Sequence, residues 1–240
     1  MPASELRQMK NCVFDLYGTL VDIHTDEERA ALWAAMAEYY TLRGAAYTGE
    51  ALKARYLQLV GEREAGLAAS DTHEAHPEIR IEEVFLALFA EAGVSVSMDD
   101  AADAARRFRA LSTDYIRLYP GAKALLAALR RAGKGVYLLS NAQAVFTRWE
   151  IERLGLVDCF DGICLSSDYG CKKPHPRFYG ALLEAFAIAP ETTVMIGNDA
   201  RCDTLGAQRM GMKTIYIHSN ISPKEELPAA DIAPCVRCQT

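Results

Sequence analysis

An α/β core built on a parallel sheet, interrupted once by a long helical insert, is the fold class this chain predicts. Three observations predict it. Five short apolar runs rich in β-branched or aromatic residues recur at 12–16, 135–140, 162–167, 193–197 and 214–218. Amphipathic stretches at 122–132, 144–154, 177–187 and 204–210 alternate with the later runs. Well over a hundred residues without a convincing strand separate the first run from the second.

Each element has its own reason. Near-continuous apolarity over a handful of residues marks strands covered on both faces, as parallel strands are. Thr25-Asp26-Glu27-Glu28 reads as a capping box opening a helix whose apolar face is Leu32, Trp33, Met36, Tyr39 and Tyr40. Further helices are expected at about 49–67, 80–92 and 98–117, the last introduced by Ser97-Met98-Asp99-Asp100. These stretches define a helical insert over 23–115, with 1–22 and 116–240 forming the core. Strand–helix alternation in the core argues for a doubly wound sheet. Such sheets bind ligands beyond the carboxyl ends of their strands, so an insert leaving the first strand is placed to cover the site.

Composition narrows the function classes. Half the residues are hydrophobic and 24% are charged, with a formal net charge of −6. No Lys/Arg cluster suggests a nucleic-acid surface, no apolar run is long enough for a membrane span, and the first ten residues lack the apolar stretch of a secretory signal. Seven cysteines, without a second pair to complete the C-x-x-C of Cys235 and Cys238, fit a reducing cytoplasm better than a disulfide scaffold or a zinc site. Cys12, Cys159 and Cys164 read as small core residues. The same reasoning leaves His73 and His76 as loop residues, and the expected assembly is a monomer or homodimer.

Four polar positions fall at or just past the ends of strand-like runs. Asp15 lies in Phe14-Asp15-Leu16-Tyr17-Gly18-Thr19-Leu20, where Gly18 permits a sharp exit. Ser140-Asn141 ends the run Val136-Tyr137-Leu138-Leu139. Lys173 precedes Pro174 and Pro176. Asp199 and Asp203 follow Val194-Met195-Ile196-Gly197-Asn198. Taken singly, Ser140 and Asp203 each read equally as helix caps, and Lys173 as a solvated charge. Asp15 resists such an account, because a carboxylate ending an apolar strand is costly without a cation.

Together, D-x-x-G-T, the apolar strand ending in Ser, K-P-x-P and G-N-D-x-x-x-D resemble the haloacid dehalogenase superfamily of hydrolases, in its order, across about residues 11–218. The resemblance implies a Rossmann-like three-layer core with a type-one helical cap, and a nucleophilic Asp15. It implies Mg2+ held by Asp15, Asp199, the Tyr17 carbonyl and, directly or through water, Asp203. Ser140 and the Asn141 backbone N–H, with Thr19, would bind phosphate, and Lys173 would offset repulsion between the anions. An aspartyl phosphate would form and then be hydrolysed, the substrate being a small phosphorylated molecule.

Tyr17 departs from that pattern. The phosphatases of the family carry an aspartate there, and general acid–base help is worth ~10²–10⁴-fold. D-x-Y-G-T with Tyr179 instead resembles the 2-haloacid dehalogenases, which need no metal and no leaving-group acid. Against them stand the two acidic residues of the fourth motif and the lack of a cap arginine other than Arg43. The acidic pair favours phosphoryl chemistry, with either a good leaving group or a substitute acid from Asp22 or His24. A non-catalytic phosphate-binding or partner-binding module is the remaining alternative. Trp33, Tyr39, Tyr40 and Tyr56 read as either core or pocket.

Overall fold

A computed structural model describes residues 3–70, 76–224 and 236–239. At its centre β1 (Asn11–Phe14) runs parallel to β4 (Gly135–Ser140) on one side and β6 (Thr193–Gly197) on the other, with Phe14 opposite both Leu138 and Ile196. β5 (Gly162–Leu165) lies beyond β4, while β7 (Lys213–His218) and β8 (Val236–Gln239) continue past β6. The sheet order is β5-β4-β1-β6-β7-β8. Numbered among themselves, these six strands follow the 3-2-1-4-5-6 order of the doubly wound fold, whose crevice opens where the chain reverses direction across the sheet.

Alternation along β1 builds the three layers, because successive side chains of a strand face opposite ways. Phe14 packs with Leu138, Ile196, Leu126 and Ile151, the last two from α6 (Ala122–Arg131) and α7 (Ala144–Arg153). Val13 faces the other side with Leu139, Met195, Phe178 and Leu182, where α9 (Pro176–Ala185) lies. The sixth strand, β8, was not expected. The run at 162–167 stops being a strand at Leu165, where α8 (Ser166–Tyr169) begins and the hydroxyls of Ser166 and Ser167 accept from the Ala142 and Ala144 N–H groups.

Four helices, α2 (Ala30–Leu42), α3 (Gly49–Ser70), α4 (Ile81–Glu91) and α5 (Met98–Ser112), enclose a third apolar cluster. Trp33, Tyr40 and Tyr56 belong to that cluster with Phe85, Phe89 and Phe108, and Tyr39 packs at its edge; these aromatics are core. Ser97, expected to introduce α5, caps it in a reciprocal box with Asp100. Thr25-Asp26-Glu27-Glu28 does not cap α2, which starts at Ala30 without a side-chain cap. Thr25 instead ends β2 (Val21–Thr25), which pairs antiparallel with β3 (Thr113–Leu118). This ribbon, absent from the sequence expectation, carries the chain out to the helices and back.

A second seam joins helices to sheet. His76 to Glu78 runs beside Gly170 to Lys172, with Lys172 N donating to the His76 carbonyl (3.1 Å) and Glu78 N to that of Gly170 (3.1 Å). Gln143 grips the same segment, accepting from Ile81 N (2.9 Å) and donating to the Glu78 carboxylate (2.9 Å) and the Ile79 carbonyl (3.0 Å). Among the described residues, no helix is long and apolar enough to cross a membrane. Cys12 and Cys164 are buried and free, and Cys159 is half-buried. His73 and Cys235 lie outside the described residues.

Candidate active site

The carboxyl ends of β1, β4 and β6 meet in a cleft of about 200 Å³. Asp15, Tyr17, Ser140, Asn141, Lys173, Asn198, Asp199, Cys202 and Asp203 line it, together with Ile221 and Pro223. Of the eight site residues expected from sequence, only Thr19 is missing from this lining. Its hydroxyl donates to Asn198 Oδ1 (3.3 Å), tying the loop after β1 to the end of β6. Gly18 makes that approach feasible: φ is +85°, and a Cβ there would lie 2.1 Å from Asn198 Nδ2.

Lys173 is the hub. Its ammonium donates to Asp15 Oδ1 (2.8 Å), Asp203 Oδ1 (2.6 Å) and the Leu139 carbonyl (2.8 Å) while only 2% exposed. Burial works against its charge, but Asp15 and Asp203 outweigh that cost and hold it above the ordinary lysine range. Asn141 sets the lysine's backbone, accepting from Lys173 N (2.7 Å) and donating to its carbonyl (3.0 Å). The reading of Lys173 as a solvated charge therefore fails.

The fourth motif divides its labour unexpectedly. Asp199, not Asp203, is the cap: its Oδ1 accepts from Arg201 N and Cys202 N (both 2.8 Å) at the start of a π-helical turn, Ala200–Leu205. A π-turn recurs at functional sites because it displaces the side chains it carries. Asp203 is buried at 2% exposure and spends both oxygens inside the protein, on Lys173 and on Asp199 N (2.9 Å). Burial pushes its carboxyl up to about 7, with Lys173 pulling it down and Asp15 pushing it further up. Gly197 leaves the room it fills, since a Cβ there would sit 2.2 Å from Asp203 Oδ2. Tyr179, buried on the far side, donates its phenol to the Cys202 carbonyl and braces the turn.

Ser140 does not cap α7, whose N-cap is Gln143. Its hydroxyl is buried in the cleft and has no hydrogen-bond partner among the described residues. An orphan hydroxyl beside a carboxylate and an ammonium is a group waiting for a ligand oxygen.

Tyr17 turns its hydroxyl away from the nucleophile. The phenol donates to Glu150 Oε2 and lies 2.9 Å from Thr147 Oγ1, both on α7. Arg109 of α5 donates to the other oxygen of Glu150 (2.7 Å) and stacks on the Tyr17 ring (5.7 Å). Burial first, then the Glu150 charge, drive the phenol far above its ordinary range, so it is a poor proton donor. The substitute acids also fail. Asp22 is held by Arg117 (2.7 Å), Asn220 (2.9 Å) and Tyr115 (3.3 Å) and is kept below the usual carboxylate range, with the Asn220 hydrogen bond the largest cause. His24 pairs with Asp114 on the exposed ribbon. Arg43 pairs with Asp100 at the surface (2.6 Å), outside the cleft.

Sequence reasoning missed Asn198, Cys202, Ile221, Pro223 and the Glu150–Arg109 pair. Asn198 stood inside a recognised motif and was readable. Cys202 stands at an unspecified position of the same motif, and the rest have no local signal, since their partners are distant in the chain.

A family model of the haloacid dehalogenase-like hydrolases matches residues 9–211. The chain belongs to that family. The chain is 30% identical to the phosphoserine phosphatase of Thermus thermophilus over 142 residues, 57% of each chain. It is 29% identical to the phosphoglycolate phosphatase of Nitrosococcus oceani over 216 residues, 88% of this chain and 85% of that one. The chain spans about half the length of the first curated relatives it matches, 57% and 42% for two of them. Its fold superposes on the 2-haloacid dehalogenase of Pseudomonas syringae pv. tomato with a TM-score of 0.62 at 22% identity, covering 95% of this chain and 93% of that one.

Proposed function

We propose that this hydrolase cleaves small phosphorylated molecules by attack of the Asp15 carboxylate on phosphorus. The observation that carries the reading is the grouping of Asp15, Asp199, Lys173 and the unpartnered Ser140 hydroxyl on one cleft. Relatives whose names are phosphatases support it.

The oxygen donors suit a hard cation. Among the described residues no three His, Cys, Asp or Glu side chains gather as a ready-made metal cage. Magnesium does not require one, because it binds through one or two carboxylates and keeps waters and substrate oxygens as its other ligands. Asp15 and Asp199 would supply those carboxylates with the Tyr17 carbonyl. Asp203, with both oxygens engaged, would contribute only through water. When bound, magnesium would neutralise phosphate charge and align the group for displacement.

The chain's own residues do the rest. Lys173 screens Asp15 from the incoming anion, and Ser140 donates to a phosphate oxygen. An Asp15 oxygen bonds to phosphorus as the bond to the leaving oxygen breaks, and that oxygen departs with the electron pair. Water then attacks phosphorus, the bond to Asp15 breaks, and phosphate and free carboxylate return. No acid at position 17 protonates the leaving group, so aryl and acyl phosphates are the favoured substrates. The four helices over 23–115 act as the cap that closes this cleft.

Hydrolysis of phenyl phosphate and acetyl phosphate with and without magnesium tests the reading. Turnover should fall to background in EDTA, return on adding magnesium, and vanish in Asp15→Asn. A second reading rests on Tyr17: displacement of halide from a 2-haloacid. Halide release that is indifferent to EDTA would replace the first reading with the second.

A further inference from the structure

We propose that Ile221 and Pro223, carried on the loop after β7, form the wall on which the leaving-group half of the substrate packs, and that this half is a small apolar or aromatic group. The inference rests on the phosphohydrolase reading above and specifies its substrate class.

The floor of the cleft is polar and accounts for an anion: Asp15, Ser140, Asn141, Lys173, Asn198, Asp199 and Asp203. Ile221 and Pro223 do nothing for a phosphate. Ligand sites take this divided form, with few polar groups fixing orientation and an apolar surface receiving the body of the ligand.

The loop is built to hold that surface in place. Ser219 N donates to Ser222 Oγ (2.9 Å) and Ser222 N to the Ser219 carbonyl (3.2 Å), closing a tight turn around Ile221. Asn220, inside the turn, donates to Asp22 Oδ1 (2.9 Å) and accepts from the Tyr119 hydroxyl. Asp22 is 4% exposed and its other oxygen is fixed by Arg117. Asp22 is thus a positioning residue for the cleft's apolar wall. A wall braced before the ligand arrives spares binding the entropy of ordering it. Ile221 is half-buried and Pro223 exposed, so the wall stands at the mouth of the cleft rather than on its polar floor.

A separate observation converges on the same class. The Tyr17 hydroxyl is spent on Glu150 of α7, which leaves the loop after β1 without a side-chain donor for a leaving oxygen, and a phenolate, stable as an anion, carries an apolar ring.

Calorimetry with two non-hydrolysable probes, phenylphosphonate and methylphosphonate, in magnesium buffer tests the wall without requiring turnover. The wild-type protein should bind the phenyl probe tighter by on the order of tenfold. Ile221→Ser should reduce that preference to about twofold or threefold, Ile221→Leu should keep it, and Asn220→Ala should weaken it by loosening the turn. Thermal melts of each variant establish that the fold is intact. Equal affinities in the wild type, no binding of either probe, or an unchanged preference in Ile221→Ser each overturn the wall. A preference erased by Ile221→Ser in a protein that does not hydrolyse phenyl phosphate would uphold the wall and remove the phosphohydrolase reading.

Discussion

Lys173 holds two carboxylates that would otherwise repel each other out of water, and its removal should show in stability as well as in rate. Breaking a buried ion pair from one side typically costs ~3–5 kcal/mol, because the partner charge is left unpaired. Lys173→Met should therefore lower the urea midpoint by an amount equivalent to about 3 kcal/mol, and turnover by at least ~10²-fold. A variant with normal stability would mean that Asp15 and Asp203 do not depend on the ammonium. At this scale Asp15, Ser140 and Asp199 were legible because each sits where an apolar strand ends and a polar group there demands a reason, whereas Lys173, beyond α8, was legible only through the order of the motifs. The fate of Tyr17 was not legible. Its partner Glu150 lies 133 residues away, and nothing around Tyr17 announces it.

Between elements, the Arg109–Glu150 pair links α5 to α7 at the nucleophile loop, with the two side chains 16% and 3% exposed. Either single substitution, Arg109→Met or Glu150→Gln, strands a buried partner, whereas the double variant strands nothing. The double variant should lose less stability than the two singles combined, with a coupling of about 1–3 kcal/mol in a denaturation cycle. Additive losses would mean that the pair carries no link. Glu78 gives a pH signature for the second seam. Burial raises its pKa above the ordinary value of 4.5, against the hydrogen bond from Ser166. The folded state therefore binds its proton more tightly than the unfolded chain does, and stability falls as pH rises from that value through the raised one. The melting temperature of Glu78→Gln relative to wild type should climb over that window and level off above it; a flat difference would refute the burial argument. The ribbon escaped the sequence reading because Thr113–Leu118 breaks strict alternation at Tyr115-Ile116 and each strand finds its partner about 90 residues away. Without Gly or Pro at Thr113, helix α5 and β3 ran together into one apparent helix.

For the molecule as a whole, three apolar clusters divide the chain. Two sandwich the sheet, and the third lies among α2 to α5, meeting α7 of the core, among the described residues, at Phe146 and Val145. Replacing 26–112 with a short turn joining the ribbon strands should leave a soluble core that keeps its parallel sheet by circular dichroism and melts cooperatively. Its kcat/KM for phenyl phosphate should fall by at least tenfold through loss of the cover and of Arg109. An unfolded product would show that the helices belong to a single folding unit with the sheet. The parallel, doubly wound class of the core followed from strand–helix alternation, whereas its strand order and its sixth strand did not. The division into clusters did not, because it depends on which aromatic faces meet in space.

The seam between 76–78 and 170–172 has a bearing on how such proteins diverge. Its bonds are main-chain N–H to C=O, so they specify a path for the backbone and ask little of the side chains along it. Residues on both sides can drift through many substitutions while the segment leading into Lys173 stays docked. Two descendants of one ancestor would then look unrelated over this stretch and still hold the lysine in the same place.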